Sequence, residues 1–441
     1  MTLPSASAES RTAQLRRVTL SSLLGTAIEY YDFMLYSTMA AVALGRLFFP
    51  SSNPTMSTIG AFGTLAAGYL ARPLGGLVFG HFGDRLGRKS TLITTMVLMG
   101  GASFLVGVLP VYHSIGIMAP ILLVLCRMVQ GVAVGGEWGG AMLMVVEQAA
   151  RERRGWWTGI IQLGSPIGFL LATFAVMMVN LLPRNSFYSW GWRLPFLSSA
   201  LLLIIGLYLR LNVVESEVFR RAAEEAKASA QQKVPALRVL RQPRTLVLAC
   251  AAGIGPFLLN TLANTQMIAY ATGIGYRTSD VMRALIVTST MSIVFVPLFS
   301  ALSDKCGRRT VILWGAVGAV LYALPLYALV DTRSVALMTA GLIVAQIIAQ
   351  LMFAPLAPLL SEMFGTAVRY TGVSLAYQVA SLIGAGLTPL MASTLVAVFG
   401  GSSLPLSVAM AVAAMVTMVA VWRTAETRGR DLEADSEFAA R

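Results

Sequence analysis

Charge is what this sequence has least of. Asp, Glu, Lys and Arg make up 12% of its 441 residues, against roughly 25% in a soluble domain. Hydrophobic residues make up 56% and the mean hydropathy is +0.72. A chain this apolar cannot fold in water without a very large exposed greasy surface, so the bilayer is its expected solvent. Reactive side chains are scarce as well. The two histidines and three cysteines (Cys126, Cys250, Cys306) show no metal-ligand spacing, and the cysteines suit neither a zinc site nor a disulfide framework. No metal and no cofactor is expected. There is no phosphate-binding Gly-x-x-x-x-Gly-Lys-Ser/Thr loop, because in Gly87-Arg88-Lys89-Ser90 an Arg intervenes, which argues against ATP drive within the chain. No nucleophile elbow is present either, and the chain is not expected to be an enzyme. The net charge of +13 invites a nucleic-acid reading. Its distribution argues against one: Lys and Arg sit in short loops between apolar runs, as the positive-inside rule describes.

What is present is a series of long apolar runs. Twelve spans are expected, at 18–46, 56–82, 90–110, 117–147, 156–182, 192–212, 245–272, 281–303, 309–330, 335–362, 369–398 and 403–423. Each is long enough for a hydrocarbon core of about 30 Å. Arg11, Arg16 and Arg17 precede a run too long for a signal-peptide core, so the first helix is expected to stay as a span. With the N-terminus cytoplasmic, 25 of the 33 Lys and Arg fall on the cytoplasmic side and 6 in outer loops, while Arg72 and Arg127 lie inside spans. That bias places both termini in the cytoplasm. The domain reading is a polar tail (1–15), a six-helix bundle (16–212), a cytoplasmic central loop read as a surface amphipathic helix (213–244), a second six-helix bundle (245–423) and a cytoplasmic tail (424–441).

The two bundles are related by duplication. Gly80-His81-Phe82-Gly83-Asp84-Arg85-Leu86-Gly87-Arg88-Lys89 recurs, altered, as Ser300-Ala301-Leu302-Ser303-Asp304-Lys305-Cys306-Gly307-Arg308-Arg309. Asp84 and Asp304, Gly87 and Gly307, and Arg88 and Arg308 are each 220 residues apart. The pairs Glu147/Arg154 and Glu362/Arg369 share a seven-residue spacing at the fourth-to-fifth and tenth-to-eleventh junctions, and Glu215-Ser216 and Glu426-Thr427 follow the sixth and twelfth spans. A duplicated bundle of apolar helices is the plan of many secondary transporters. An Asp at a helix end can cap a neighbouring helix or pair with a basic residue. These turns are therefore read as a gate: Gly80, Gly83, Asp84, Arg85, Gly87, Arg88, Asp304, Arg308, Glu147, Arg154, Glu362 and Arg369. Because Ser300 and Ser303 stand where the first copy has glycine, the second turn is expected to be less tight. His81 and His113 are read as bystanders.

A charge at the bilayer centre costs about 2.5–3.5 kcal/mol on insertion scales, so each one needs a partner or a wet cavity. Such residues are confined to the first half: Glu29 and Asp32 in the first span, Arg72 in the second, Arg127 and Glu137 in the fourth. Glu29 and Asp32 share a helix face, which Tyr36 extends. Two carboxylates facing one cavity suit a proton carrier; the alternative is a structural pair with Arg72 or Arg127. Arg127, Gln130 and Glu137 fall along one side of the fourth span, beside a ridge of Gly131, Gly135 and Gly139. Packing plus one buried ion pair is the plain reading there; contact with an anionic substrate, or proton release, is the sharper one. Arg72 precedes Pro73-Leu74-Gly75-Gly76 and offers a bidentate fork for a carboxylate. The second half offers neutral polar groups, notably Asn260, Asn264, Tyr377 and Gln378. Gly253-Ile254-Gly255-Pro256 is expected to interrupt the seventh span, as a cavity-lining bend or as a packing kink.

These residues resemble the major facilitator superfamily across essentially the whole chain. Gly80–Lys89 and 300–309 match its duplicated signature, and Arg127-Met128-Val129-Gln130-Gly131 is similar to its fourth-span motif. Within the superfamily, Glu29-Tyr30-Tyr31-Asp32-Phe33, Arg72-Pro73-Leu74-Gly75-Gly76 and Gly135-Gly136-Glu137-Trp138-Gly139-Gly140-Ala141 resemble the metabolite:proton symporter family. Glu426-Thr427-Arg428-Gly429 is similar to an end motif shared with sugar porters. The resemblance implies an all-α membrane protein of twelve transmembrane helices in two pseudo-symmetric six-helix bundles, a central cavity and alternating access. It implies proton symport of a small metabolite such as shikimate, 2-oxoglutarate, citrate, proline or betaine. On that reading Asp32, Glu29 and Glu137 handle protons. Arg72, Arg127, Tyr36, Gln130, Asn260, Asn264, Tyr377 and Gln378 meet substrate. The expected partners are a small molecule, protons and the lipid bilayer, with no nucleic acid, and the chain is expected to be a monomer in an inner membrane. The alternatives are a proton-coupled exporter of the same fold and a ligand sensor that does not transport.

Overall fold

The computed structural model describes residues 8–50, 54–212 and 235–432. Among these residues there is no strand, and twelve long helical runs follow one another, joined in places by short helices. We number them α1 (Ala8–Met39), α2 (Pro54–Leu86), α3 (Arg88–Val108), α4 (Met118–Val146), α5 (Arg151–Asn180), α6 (Gly191–Leu211), α7 (Pro243–Gly273), α8 (Thr278–Cys306), α9 (Arg308–Asp331), α10 (Val335–Met363), α11 (Thr366–Val398) and α12 (Leu404–Arg423). By length and composition α3 to α12 can each cross a membrane. The other two long helices carry Glu29, Asp32 and Arg72. Helix α1 begins before the expected residue 18, because no Gly or Pro interrupts the chain from Ala8 to Leu24. Most of the expected central loop lies outside the described residues; its end forms a short helix, Pro235–Leu240.

The chain divides into two compact units, one within Met1–Ala149 and Gly164–Lys233, the other within Ala150–Leu163 and Val234–Arg441. The start of α5 thus packs with the second unit and its remainder with the first. In the first unit, one end is filled by an aromatic cluster in which Phe48, Trp192, Phe196 and Tyr36 meet edge to face at 5.7–6.3 Å. Large side chains such as Leu201, Ile204, Leu321 and Leu390 are 61–73% exposed, the arrangement expected of helices whose outer faces meet lipid.

Backbone geometry repeats with the duplication. Gly87 (φ 109°, ψ 149°) joins α2 to α3, and Gly307 (φ 99°, ψ 149°) joins α8 to α9. These angles belong to glycine alone. The second turn is therefore as tight as the first, against expectation, because the glycine that sets the bend is retained. Ser303 instead donates to Ser300 O (2.7 Å) and accepts from Arg308 (2.9 Å). Wide π turns also recur, at Ala40–Leu44 beyond α1 and at Leu262–Gln266 inside α7.

Candidate functional site

Helix α1 sets out Ser21, Ser22, Glu29, Asp32 and Tyr36 along one face, with Val18 and Gly25 on the same side, at intervals of three or four positions. Glu29 and Asp32, both buried, enter a cavity in the first unit with about 330 Å³ of unfilled space, its mouth included. Tyr69 and Arg72 of α2 and Arg127 and Gln130 of α4 complete its polar wall. The acids and bases here are not paired with one another. Arg72 lies over the rings of Tyr69 (4.1 Å) and Phe33 (5.1 Å), and Arg127 lies over Tyr36 (3.9 Å), so their charges rest on aromatic faces. Asp32 Oδ1 accepts from Ser199 (2.6 Å), while Asp32 Oδ2, Glu29 Oε2 and Arg127 Nε have no hydrogen-bond partner among the described residues. Arg127 donates to Gln130, which donates to Ser103. Tyr36 is held from below by Thr64.

Small residues bring these side chains together. A Cβ added to Gly131 would strike Gly68 O, one on Gly135 would strike Arg72 O, and one on Gly75 would strike Val132 O. Helices α2 and α4 therefore touch backbone to backbone. The glycines of the predicted ridge are what allow Arg72 and Arg127 to share one cavity.

Glu137 lies on the same side of α4 but does not pair with Arg127. Its Oε1 accepts from Arg210 of α6 at 2.6 Å, with both side chains 4% exposed or less. Arg210 is one of the basic residues that the sequence count assigns to the cytoplasmic side. It is the last charge of α6, and the backbone of α1 at Gly25 leaves room for it to reach inward.

The candidates of the second unit form two groups of their own. Asn264 donates to Asn260 Oδ1 (2.6 Å) and to Gln346 (3.4 Å), which donates to Ser292 (2.8 Å). Tyr377 packs edge-on against Phe257 (4.9 Å), and Gln378 is fully buried beside it in sequence. Helix α7 is not interrupted at Gly253–Pro256. It runs on to Thr261, and Thr417 of α12 supplies what Pro256 removes, donating to Ala251 O and Ala252 O and accepting from Gly255 N at 2.9–3.3 Å.

At the turn bearing Gly307 the second unit holds a closed charge network. Asp304 accepts from the backbone N–H of Gly155 (2.9 Å) and Trp156 (2.8 Å), capping the helix that begins at Arg154, and from Arg308 (2.6 Å). Buried Glu362 meets Arg154 (3.4 Å), Arg308 (3.5 Å) and Thr427 (2.7 Å). The segment after α12 crosses this network. Glu426 accepts from the N–H groups of Arg308 and Arg309, and Leu432 O accepts from Thr366 and Arg369. Burial holds the Arg430 guanidinium below its ordinary value, with Glu362 opposing. In the first unit the matching contact is Arg88 with Glu147, both fully buried. The two halves thus carry corresponding contacts, Arg88–Glu147 and Arg308–Glu362, each joining the residues of two duplicated junctions.

Residues 22–373 match the family model described as "Major Facilitator Superfamily". The chain belongs to that superfamily. Its relatives include the inner membrane metabolite transport protein YhjE of Escherichia coli, 38% identical over 424 residues, 94% of this chain and 95% of the relative. The shikimate transporter of Escherichia coli is 36% identical, covering 88% and 90% of the two chains. The proline/betaine transporter of Salmonella typhimurium is 34% identical over 87% of this chain and 78% of that one. The fold matches the crystallised proton:xylose symporter XylE with a TM-score of 0.76 at 20% identity, covering 96% of this chain and 98% of that chain. This major facilitator is a multi-pass membrane transporter and not an enzyme. Sequence reasoning missed four site residues in it. Tyr69, Ser103 and Ser199 are neutral and look like ordinary span residues, whereas Arg210, a lone charge closing an apolar run, carried a signal of its own.

Proposed function

We propose that the protein imports a small carboxylate-bearing metabolite together with protons across an inner membrane, with both termini in the cytoplasm. The observation that carries this reading is the cavity of the first unit, where Glu29 and Asp32 stand beside Arg72 and Arg127 without pairing to them. Guanidinium groups resting on rings keep their hydrogen-bonding edges for an anion. Carboxyl oxygens left without donors are suited to binding a proton in one state and releasing it in another. Asp32 is the carrier we favour, since Ser199 fixes one oxygen and leaves the other free. The metabolite relatives support the substrate class. The Asp304–Arg308–Glu362 network and the Arg88–Glu147 pair are read as cytoplasmic latches that break and reform as the transporter cycles.

Purified protein in proteoliposomes with an inward proton gradient tests this. Internal pH is followed while shikimate, 2-oxoglutarate, citrate, proline and betaine are offered in turn. Acidification with one compound, lost in Asp32→Asn, is the expected result. Unchanged accumulation in Asp32→Asn removes that residue from the mechanism. Silence across the panel with ligand-induced thermal stabilisation points to a sensor, and resistance or efflux on expression points to the exporter.

A further inference from the structure

Glu137 and Arg210 separate two cavities of the first unit. The first is the Glu29–Asp32 cavity. The second has about 240 Å³ of unfilled space, mouth included, and is lined by Val18, Ser21, Ser22, Lys89, Leu92, Met144 and Arg210. Two helices run past both. Along α1, Asp32 and Glu29 line the first cavity, and Ser22, Ser21 and Val18 line the second. Along α4, Val134 lines the first and Met144 the second, with Glu137 between. At the partition α1 presents Gly25, where an added Cβ would strike the Arg210 guanidinium and come within 2.9 Å of Glu137 Oε1. The wall between the cavities is therefore one ion pair seated against a bare stretch of helix.

That wall is incompletely satisfied. Glu137 Oε2 and Arg210 Nε are buried with no hydrogen-bond partner among the described residues. Beyond it Lys89 Nζ is tied to Leu211 O (2.8 Å), which fixes a cation at the far side of the second cavity. Asp32 and Glu29 line the first cavity, Glu137 stands beside Gly25 one turn further along the first helix, and its partner Arg210 lines the second cavity, so carboxyl groups are laid out from one cavity toward the other.

We infer that the Glu137–Arg210 pair is the inner gate of a proton route contained in the first unit, running from the Glu29–Asp32 cavity to the Ser21–Lys89 cavity. The inference rests on the proton-coupled reading above. The Glu29 carboxyl O–H breaks and an O–H forms on Glu137 Oε2, leaving Glu29 as a carboxylate in the field of Arg72. Neutral Glu137 no longer holds Arg210, which turns toward the hydroxyls of Ser21 and Ser22. Glu137 then gives its proton to water in the second cavity, on the side the proposed orientation makes cytoplasmic, and the ion pair reforms. No electron or co-reactant is needed. Arg210 is a positioning residue in this scheme: it never carries the proton, and it closes the route whenever Glu137 is charged.

The test compares proton-driven accumulation with exchange of labelled for unlabelled compound at equal pH on both sides, using whichever panel compound acidifies the vesicles. In Glu137→Gln the ratio of accumulation to exchange is expected to fall at least tenfold. The double variant Glu137→Gln/Arg210→Gln removes both charges together, so no lone buried ion threatens the fold, and the same fall is expected. Gly25→Ala keeps both charges but pushes Arg210 aside. It is expected to displace the pH profile of accumulation by about one unit or more, the size of effect that losing a close opposite charge produces. A double variant that accumulates within twofold of the parent overturns the inference, as does one that loses exchange along with accumulation, since the pair is then a structural brace. An unshifted profile in Gly25→Ala also overturns it. If no panel compound makes the unaltered protein acidify the vesicles, the proton-coupled reading fails first, and the two failures are told apart by the parent protein alone.

Discussion

Replacing Glu362 by Gln is the sharpest test of the network at the second turn. The substitution keeps the volume and one oxygen for Thr427 but removes the charge that faces Arg154 and Arg308, whose side chains are 5% and 0% exposed. Arg308 retains Asp304 at 2.6 Å. Arg154 retains only neutral help, the carbonyl of Arg430 at 2.8 Å. Breaking a buried pair by removing one partner costs about 3–5 kcal/mol, and with Arg308 still paired the low end, about 3 kcal/mol, is expected. That corresponds to a factor of roughly 150 in the folding equilibrium. Asp280→Asn provides the control, because its pair with Arg283 is 20% and 75% exposed and such pairs contribute about 1 kcal/mol or less. Unfolding in mixed micelles of rising SDS content, followed by tryptophan fluorescence, measures both. A double-mutant cycle with Arg154→Gln isolates the pair, and a coupling above about 1 kcal/mol is expected. The reasoning is refuted if Glu362→Gln costs no more than Asp280→Asn, or if the cycle is additive.

The same assay checks further expectations. Gly87→Ala and Gly307→Ala should each cost about 1–3 kcal/mol, since both positions have φ near +100°; Gly307→Ala should cost more, because the new Cβ also meets Glu426 Oε2 at 2.5 Å. Gly131→Ala drives a methyl into the Gly68 carbonyl and should destabilise by about 1–3 kcal/mol, while Gly101→Ala, with nothing within 4 Å, should be near neutral. Thr417→Val removes the hydroxyl that meets Gly255 N–H and the Ala252 carbonyl beside Pro256, for about 1–3 kcal/mol, and Thr417→Ser should recover most of it.

What the sequence disclosed was whatever repeats or alternates in one dimension. Apolar runs gave the helices, and the constant interval from Asp84 and Gly87 to Asp304 and Gly307 gave the duplication, though not the matching backbone angles of the two turns, since the serines of the second copy suggested a looser one. The face of α1 was legible because helical spacing alone puts Glu29, Asp32 and Tyr36 together. Partners on other helices were not. Nothing along the chain indicates that Glu137 turns to Arg210 and not to Arg127, because that choice depends on Gly25 opening α1 against α6. Nor did the Gly253–Pro256 run disclose that the helix continues through it, with the groups around Pro256 satisfied from α12 by a hydroxyl more than 160 residues away. Nor does spacing show that Arg154, from the start of α5, and Arg308, from α9, both reach Glu362.

The two units spend their buried charge in opposite ways, and the contrast bears on mechanism. In the second unit Asp304 and Glu362 are each met by several donors, and the segment after α12 closes over them. In the first unit Glu29, Asp32 and Glu137 each keep an oxygen without a hydrogen-bond donor among the described residues, even where, as at Glu137, a guanidinium pairs with the other oxygen. An unpartnered carboxyl oxygen away from water destabilises a fold by about 1–3 kcal/mol or more. Ser199 shows that the fold can supply a hydroxyl to a carboxyl oxygen in this same cavity, so three oxygens left without one are unlike a stability-driven core. A fold that held Arg72 and Arg127 on carboxylates would be better satisfied and would have neither a free site for a proton nor a free edge for an anion. The strain left in the first unit is therefore the feature that a cycling proton and an anionic substrate would relieve, each in its turn.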